Sequence, residues 1–231
     1  MKLNVGDAVR FQLAKYLLFD LDGTLLDSLP GIAFSVQEAC RMVGLPEPKI
    51  NLRSLLGPPI RTILSRAVAT DDPALMDRLE QAFRTSYDNE GWRKTSCFDG
   101  ARATLGVMKA GGHWLFVVSN KPRLISLKIL EREGLLPLFE RIYTRDSLSP
   151  ARTKQEMLHE FLSEYGVSSS NCLMVGDTME DAAAAAAAGM GFVYMTHGYG
   201  ELAQTPYVPI AYKLDNFSQF LQLMTQEPVR D

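Results

Sequence analysis

The sequence predicts an α/β protein with a doubly wound, Rossmann-like parallel sheet, into which an all-helical cap domain is inserted. Two observations predict the sheet. Short apolar runs are continuous rather than alternating, which is typical of strands covered on both faces, and helical patterns separate these runs. A third observation predicts the cap, because the stretch from Pro30 to about Lys94 contains no convincing strand.

The core strands are predicted from the apolar runs at 16–19, 113–118, 141–144, 172–175 and 192–196. Core helices are predicted between and after them, at 101–110, 122–133, from Thr153 onward, 178–188 and 217–226. Thr153 and Glu156 have the spacing of a capping box. The seven alanines from Ala182 to Ala188 favour a helix that lies close to the sheet, because alanine is the best helix former.

The helical insert is predicted to contain helices at 31–43, 60–69 and 73–89, separated by glycine and proline residues. We therefore divide the chain into an α/β core domain, residues 1–29 and 95–231, and a helical cap domain, residues 30–94. Asp27 and Ser28 are interpreted as a turn and helix cap where the insert begins.

The composition is that of an ordinary globular protein, with 46% hydrophobic residues, 22% charged residues and a net charge of −3. Basic residues are scattered, which argues against a nucleic-acid polymer as partner. No apolar run approaches membrane-spanning length, and the three widely spaced cysteines suggest no disulfide framework. These features favour a cytoplasmic protein without a membrane partner, and they leave the oligomeric state open.

Acidic residues follow the predicted strands where each strand ends. The carboxyl ends of parallel strands meet along one edge of a sheet, which is where ligands bind. That edge should collect these residues: Asp20, Asp22, Ser119, Asn120, Asp177, Asp181 and, from a loop, Lys154. So many carboxylates need a counter-charge, and oxygen-rich ligation favours Mg²⁺. Gly23 would let the backbone pass close to a bound group.

Four motifs resemble those of the haloacid dehalogenase superfamily of phosphotransferases, in that family's order and across essentially the whole core. They are "DLDGT" at Asp20–Thr24, Ser119 after a strand, a downstream lysine, and "GDTMED" at Gly176–Asp181. The string "FDLDGTLLDS", the position of the insert and "GPPIR" at Gly57–Arg61 are most similar to the phosphoglycolate phosphatase-like branch. Dehalogenases of the superfamily lack the second aspartate, so Asp22 implies phosphate chemistry.

The resemblance implies a role for each motif residue. Asp20 would be the nucleophile that forms an aspartyl-phosphate, with an unperturbed pKa of about 4. Asp22 would be the acid and then the base, its pKa raised by neighbouring carboxylates, and its backbone carbonyl would bind the metal. Asp177 would be the third metal ligand, and Asp181 would hold metal-bound waters or the lysine.

The phosphoryl oxygens would be held by Lys154, Ser119 and the backbone amides near Thr24 and Asn120. Two of these assignments have rivals, because Arg152 could replace Lys154 and Asn120 could cap the helix at Pro122. On the insert, Arg61 beside "GPP" is the arginine that best fits a substrate contact, although a solvated helix face would also explain it.

The sequence therefore predicts a Mg²⁺-dependent phosphatase that acts on a small phosphorylated metabolite such as phosphoglycolate. Nucleoside monophosphates, sugar phosphates and pyrophosphate are the alternative substrates. A phosphomutase of the same superfamily is the nearest alternative enzyme. A binding or regulatory protein is disfavoured, because the set Asp20, Asp22, Lys154 and Asp177 is intact.

Overall fold

The structure is a computed structural model that describes residues 14–146, 151–200 and 210–225. Its strands are β1 (Tyr16–Phe19), β2 (Leu26–Asp27), β3 (Ser96–Cys97), β4 (Trp114–Ser119), β5 (Arg141–Thr144), β6 (Cys172–Gly176), β7 (Gly191–Met195) and β8 (Ile210–Leu214). Its α-helices are α1 (Leu29–Val43), α2 (Ile60–Val68), α3 (Pro73–Asn89), α4 (Ala101–Ala110), α5 (Arg123–Arg132), α6 (Lys154–Tyr165), α7 (Met179–Ala187) and α8 (Ser218–Thr225). Short 3₁₀ turns lie at Leu52–Leu55, Gly91–Lys94, Leu136–Leu138 and Ser169–Asn171.

Six strands form one parallel sheet in the order β5-β4-β1-β6-β7-β8. Phe19 at the end of β1 lies opposite Val117 on one side and Val175 on the other. The five predicted core strands are confirmed, with ends shifted by one residue at most. The sheet has a sixth strand, β8, that the sequence analysis did not predict.

Both faces of the sheet are covered, as the continuous apolar runs predicted. Leu17 and Phe19 point into one apolar cluster, which includes buried residues of α4, α5 and α8. Leu18 points into a second cluster, which includes residues of α6 and α7. On α7, Ala182 and Ala185 are fully buried, so the alanine run is indeed a helix lying against the sheet.

The insert is helical throughout, since α1, α2, α3 and two 3₁₀ turns fill the chain between β2 and β3. Helix α1 packs against α3, and α3 also packs against α2. The predicted helices are therefore confirmed, whereas the proposed domain limits at residues 29/30 and 94/95 remain a prediction. Ser28 precedes α1 but makes no side-chain capping bond. The hydroxyl of Tyr199 instead accepts bonds from the backbone amides of Ser28 and Leu29, at 2.7 and 3.0 Å.

A two-stranded antiparallel ladder closes the base of the insert. Leu26 pairs with Cys97 and Asp27 pairs with Ser96. The chain therefore leaves the core and returns to it at neighbouring positions. The same stretch of backbone follows directly on the carboxyl end of β1, so it joins the insert to the edge of the sheet where the acidic residues lie.

Candidate active site

Three buried carboxylates meet at the carboxyl edge of the sheet. Asp20 follows β1, Asp177 follows β6, and Asp181 lies in the first turn of α7. One carboxylate oxygen from each lies within 4.8 Å of the others. Asp20, Asp177 and Asp181 together form the acidic cluster. Because β1 and β6 are paired neighbours, the register of the sheet brings together residues that are more than 150 positions apart in sequence.

Asp20 has one oxygen paired and one oxygen without a hydrogen-bond partner. Its Oδ2 lies 3.0 Å from the ammonium of Lys154, whereas its buried Oδ1 has no hydrogen-bond partner in the part of the chain that the structure describes. Burial raises the pKa of Asp20 to about 8, against the opposing charge of Lys154. The expected unperturbed pKa is therefore wrong, because the sequence could not show how completely the carboxylate is removed from water.

Asp177 is held by three donors from two separate segments. Its Oδ1 accepts a bond from Thr24 Oγ1 at 3.0 Å, and its Oδ2 accepts from the backbone amides of Tyr199 and Gly200, at 2.7 and 3.3 Å. Burial and the nearby Asp181 raise the pKa of Asp177 to about 6, although these amides oppose the shift. The donors fix the orientation of the carboxylate toward Asp20.

Gly23 is required at the turn after β1 for two reasons. Its φ of +83° lies in the left-handed region, and a Cβ atom there would lie 2.2 Å from Asp177 Oδ2. The backbone therefore passes directly over the carboxylate of Asp177. The structure places both Gly23 and Thr24 at the acidic cluster.

Lys154 is the first residue of α6, and a capping box between Thr153 and Glu156 fixes the start of that helix. The Lys154 ammonium is paired with Asp181 as well as Asp20. Burial disfavours its charge, but these carboxylates outweigh burial and raise the pKa of Lys154. The rival Arg152 is paired with Glu160 instead.

Both oxygens of Asp181 already have partners. Its Oδ1 contacts Lys154, and its Oδ2 accepts bonds from the backbone amide and hydroxyl of Thr178, at 3.0 and 2.6 Å. Thr178 and Asp181 thus form a capping box on α7, which the sequence analysis did not point out. Of the two predicted roles for Asp181, this geometry favours holding the lysine.

Ser119 and Asn120 follow β4 at the same edge. The Ser119 hydroxyl is buried and accepts a bond from the backbone amide of Lys121 at 3.3 Å. The Asn120 amide donates to Glu180 Oε1 at 2.8 Å. Asn120 is not the cap of α5, because that position is occupied by Pro122.

Asp22 is held by a lysine that the sequence analysis missed. The ammonium of Lys121 donates to both carboxylate oxygens of Asp22, at 2.8 and 3.1 Å, and to the hydroxyl of Tyr87 on α3 at 2.7 Å. The residue in contact with Asp22 is thus a cation, whereas neighbouring carboxylates were expected. Lys121 lies only two residues beyond Ser119 at the end of β4, and this position after a strand is the signal in the sequence that points to it.

Arg61 is not brought to the acidic cluster by any contact seen among the described residues. Its guanidinium donates to Asp77 and Glu80 on α3, at 2.7 and 3.1 Å, and its side chain is 45% exposed. These contacts lie within the insert. They match the alternative interpretation of Arg61 as part of a solvated helix face.

The donor set fits a divalent cation. Asp20 offers a buried oxygen without a partner among the described residues, and a carboxylate oxygen of Asp177 lies within 4.8 Å of Asp20. All the ligand atoms in the cluster are oxygens, which hard cations prefer to nitrogen or sulfur. Burying such carboxylates without a compensating charge would be costly, and Lys154 alone leaves Asp20 Oδ1 unpaired.

A family model described as haloacid dehalogenase-like hydrolase matches residues 17–195 of the chain. This match includes β1 with Asp20, the whole insert, and the strand ends that carry Ser119 and Asp177. It covers well over half of the chain.

Individual relatives are similar over most of their length. A phosphoglycolate phosphatase from Nitrosospira multiformis is 30% identical over 193 residues, which cover 81% of this chain and 85% of the relative. A 5'-nucleotidase from Pseudomonas aeruginosa is 29% identical over 185 residues, covering 80% and 83%. The crystal structure of a predicted phosphoglycolate phosphatase from Haemophilus somnus matches with a TM-score of 0.82 and 26% identity, covering 92% of this chain and 99% of that one.

The helices give no sign of a membrane span. In the stretches 14–146, 151–200 and 210–225, none of them combines the length and the apolar character needed to cross a bilayer.

Proposed function

Because this chain belongs to the haloacid dehalogenase-like hydrolases, we propose that it is a Mg²⁺-dependent phosphatase that uses Asp20 as its nucleophile. The family match and the phosphatase relatives support a hydrolase of phosphoric monoester bonds. Within that class, we assign it a small phosphomonoester as substrate and an aspartyl-phosphate as intermediate.

One observation carries this proposal. The buried Oδ1 of Asp20 has no hydrogen-bond partner among the described residues, while Oδ2 is held by Lys154 beside Asp177 and Asp181. A structural carboxylate would have both oxygens satisfied. A nucleophile next to a cation site needs one oxygen free.

Each residue has a stated task in the reaction. Asp20 attacks phosphorus, the ester P–O bond breaks, and Asp22 gives its proton to the leaving oxygen. Water then attacks the phosphorus of phosphorylated Asp20 and loses a proton to Asp22, which releases inorganic phosphate and restores Asp20. Lys154 neutralises charge on the phosphoryl oxygens.

The metal would be held by Asp20, the backbone carbonyl of Asp22, and Asp177, with Asp181 acting through Lys154. When bound, Mg²⁺ neutralises phosphoryl charge and favours the ionised form of its carboxylate ligands. The Ser119 hydroxyl and the backbone amides near Gly23, Thr24 and Asn120 complete the phosphoryl site.

The helical insert, residues 30–94, would act as a cap over the core formed by 1–29 and 95–231. Tyr87 on α3 reaches Lys121 of the core, so the insert lies next to the acidic cluster. Closing the insert over a bound ester would exclude bulk water and would select the leaving group. Arg61 would contribute to this selection only after leaving its partners Asp77 and Glu80.

Phosphoglycolate-like esters are the proposed substrates, since relatives with that activity in their names cover most of this chain. The relative that is named a 5'-nucleotidase makes nucleoside monophosphates the second candidate. A panel of 2-phosphoglycolate, nucleoside monophosphates, sugar phosphates and pyrophosphate, assayed for phosphate release, distinguishes these classes.

The central test is phosphate release by the wild type and by Asp20→Asn, with Mg²⁺ and with EDTA. We expect release only from the wild type with Mg²⁺, and acid-stable labelling of Asp20 by a ³²P-labelled substrate that hydroxylamine removes. Asp99→Asn, which changes an exposed carboxylate, is the matched control and should behave like the wild type. Equal release by Asp20→Asn would refute the proposal.

A further inference from the structure

Lys121 is a buried cation that connects the core to the helical insert. Its side chain is only 4% exposed, although a lysine is rarely buried unless it is paired. It comes from the loop after β4, and its partners are Asp22 of the core and Tyr87 of α3. A charged group that is buried so completely is held in place by these specific partners.

The contacts of Lys121 account for its ammonium protons and fix its position. It donates to both oxygens of Asp22 and to the hydroxyl of Tyr87, at 2.7 to 3.1 Å. Its Nζ also lies 4.8 Å from the centroid of the Tyr87 ring. The side chain of Asp22, by contrast, is 29% exposed and makes these bonds at the margin between core and insert.

We propose that Lys121 is a positioning residue that holds the carboxylate of Asp22 for the hydrolysis of phosphorylated Asp20, and that Tyr87 of the insert holds Lys121 in place. The inference rests on the proposed function, and it adds two residues and one specific step to it. Tyr87 acts two contacts away from the reacting atoms, so the position of the insert becomes part of the alignment of Asp22.

The geometry of the pair decides which step is concerned. The ammonium donates to both oxygens and so holds the carboxylate as an acceptor, which is the role of Asp22 once the leaving group has taken its proton. That form accepts the proton of the water that attacks phosphorus, while the bond from phosphorus to Asp20 breaks. The earlier transfer to Asp20 needs no help from Asp22 when the leaving group is already a stable anion, such as 4-nitrophenolate.

Tyr87 is well placed to transmit the position of the insert. Its ring stacks on Phe83 with the centroids 5.3 Å apart, and its hydroxyl is 3.5 Å from Thr95 Oγ1. It is 5% exposed. Movement of α3 away from the core would therefore break the contact between Tyr87 and Lys121. Lys121 would then position the carboxylate of Asp22 less firmly.

The test is the steady-state and burst kinetics of Lys121→Met with 4-nitrophenyl phosphate. We expect kcat to fall about tenfold or more, and KM to fall by the same factor. The value of kcat/KM, which reports transfer to Asp20, should stay within about twofold of the wild type. Rapid mixing should then show a burst of nitrophenolate equal to the enzyme concentration, because phosphorylated Asp20 accumulates.

Three further variants make the result specific. Tyr87→Phe keeps the ring and should show the same split between kcat and kcat/KM to a smaller extent. Lys121→Arg keeps the charge and should restore part of kcat. Lys213→Met, at an exposed lysine of the edge strand β8, is the matched control and should leave both parameters unchanged.

Two results would overturn the inference. An equal fall of kcat and kcat/KM in Lys121→Met would mean that the lysine binds substrate or supports the fold, and unchanged kinetics would mean that it has no role. If Lys121→Met does not fold, Tyr87→Phe decides by the same criterion. Failure of the proposed function gives a different result, because Asp20→Asn would then release phosphate as fast as the wild type.

Discussion

At the scale of single residues, Gly23 restricts the site through both its backbone conformation and its missing side chain. It combines a left-handed backbone with a carboxylate lying where its side chain would be. The turn after β1 and the position of Asp177 therefore both require that residue 23 has no Cβ atom. A substitution at this position disturbs the backbone and the carboxylate of Asp177 together.

Gly23→Ala is expected to remove activity and to destabilise the fold. The left-handed backbone alone costs about 1–2 kcal/mol for a residue with a Cβ, and displacement of Asp177 adds to this. Gly44→Ala is the control, since Gly44 has a φ of +78° but a Cβ atom added there would meet nothing within 4 Å among the described residues. Chemical denaturation should show a larger loss for Gly23→Ala, and equal losses would contradict the argument.

The pKa of Asp20 predicts how the stability of the metal-free protein depends on pH. The native carboxyl has a pKa of about 8, above its unfolded value of about 4. Between these pH values the native state keeps a proton that the unfolded chain loses, so the free energy of unfolding falls as pH rises. Asp20→Asn lacks this contribution.

In EDTA, Asp20→Asn should therefore gain stability relative to the wild type as the pH is raised from about 5 to 8. Urea denaturation at several pH values measures the difference. Parallel pH profiles for the two proteins would show that Asp20 ionises normally in the native state.

At the scale of single residues, the sequence predicted which carboxylates would meet but not their environment. Asp20, Asp177 and Lys154 could be placed because each follows a strand or begins a helix. Lys121 and Tyr87 could not be paired, because their contact depends on how the insert lies on the core. The pKa of Asp20 depends on its burial, which no local pattern reveals.

Among the elements, the loop after β7 contacts both the acidic cluster and the start of α1. Tyr199 donates its backbone amide to Asp177, while its hydroxyl accepts bonds from Ser28 and Leu29 and donates to Asp27 at 2.7 Å. One residue thus links the acidic cluster to the first turn of α1. The amide of Ser28 is buried and has this hydroxyl as its partner.

Tyr199→Phe should lower the free energy of unfolding by about 1–3 kcal/mol, because it leaves the buried amide of Ser28 and the part-buried amide of Leu29 without this acceptor. Tyr165→Phe on α6, where the side chain is half-buried, is the control and should cost less. Thermal denaturation of the two variants gives the comparison, and an equal loss in both would argue against the role assigned to the hydroxyl.

The strands that were not predicted from the sequence lack a clear apolar pattern, for two different reasons. Strand β8 lies at the edge of the sheet, and its exposed Lys213 interrupts the apolar run. The β2–β3 ladder has only two residues in each strand, which is too short to produce a pattern. The long helices and the buried central strands have strong periodicity or continuous apolar character, and these were predicted.

At the scale of the whole molecule, metal binding should be visible as stability. A ligand that binds only the native state adds about 2.7 kcal/mol when its concentration is 100 times its dissociation constant. Mg²⁺ should therefore raise the melting temperature of the wild type at pH 8. Asp177→Asn should abolish this shift, and Asp99→Asn should retain it.

A melting temperature that rises equally in all three proteins would indicate nonspecific ion effects and would count against the acidic cluster as the site. Because this measurement needs no substrate, it tests the metal site independently of catalysis. It also uses the intact chain, so core and insert are both present.

The insert also contacts the core at a second place, through Arg53. Its guanidinium donates to the carbonyls of His197 and Gly198, at 3.0 and 2.6 Å, and lies 5.3 Å from the centre of the Tyr199 ring. Together with the contact between Lys121 and Tyr87, it joins the insert to the loops that follow β4 and β7. The sequence predicted an insert, but only the fold shows where it rests.

The two-residue ladder between β2 and β3 has a consequence for how such a molecule can change. Because Asp27 and Ser96 are neighbours, the whole excursion between them could be lengthened, shortened or exchanged while the six parallel strands keep their register. A new substrate preference could thus be acquired by replacing one peripheral segment, provided that the new segment again supplies a partner for Lys121 where Tyr87 now lies. In this architecture, selectivity can change through the insert, while Asp20, Lys154 and Asp177 stay on the unchanged sheet edge.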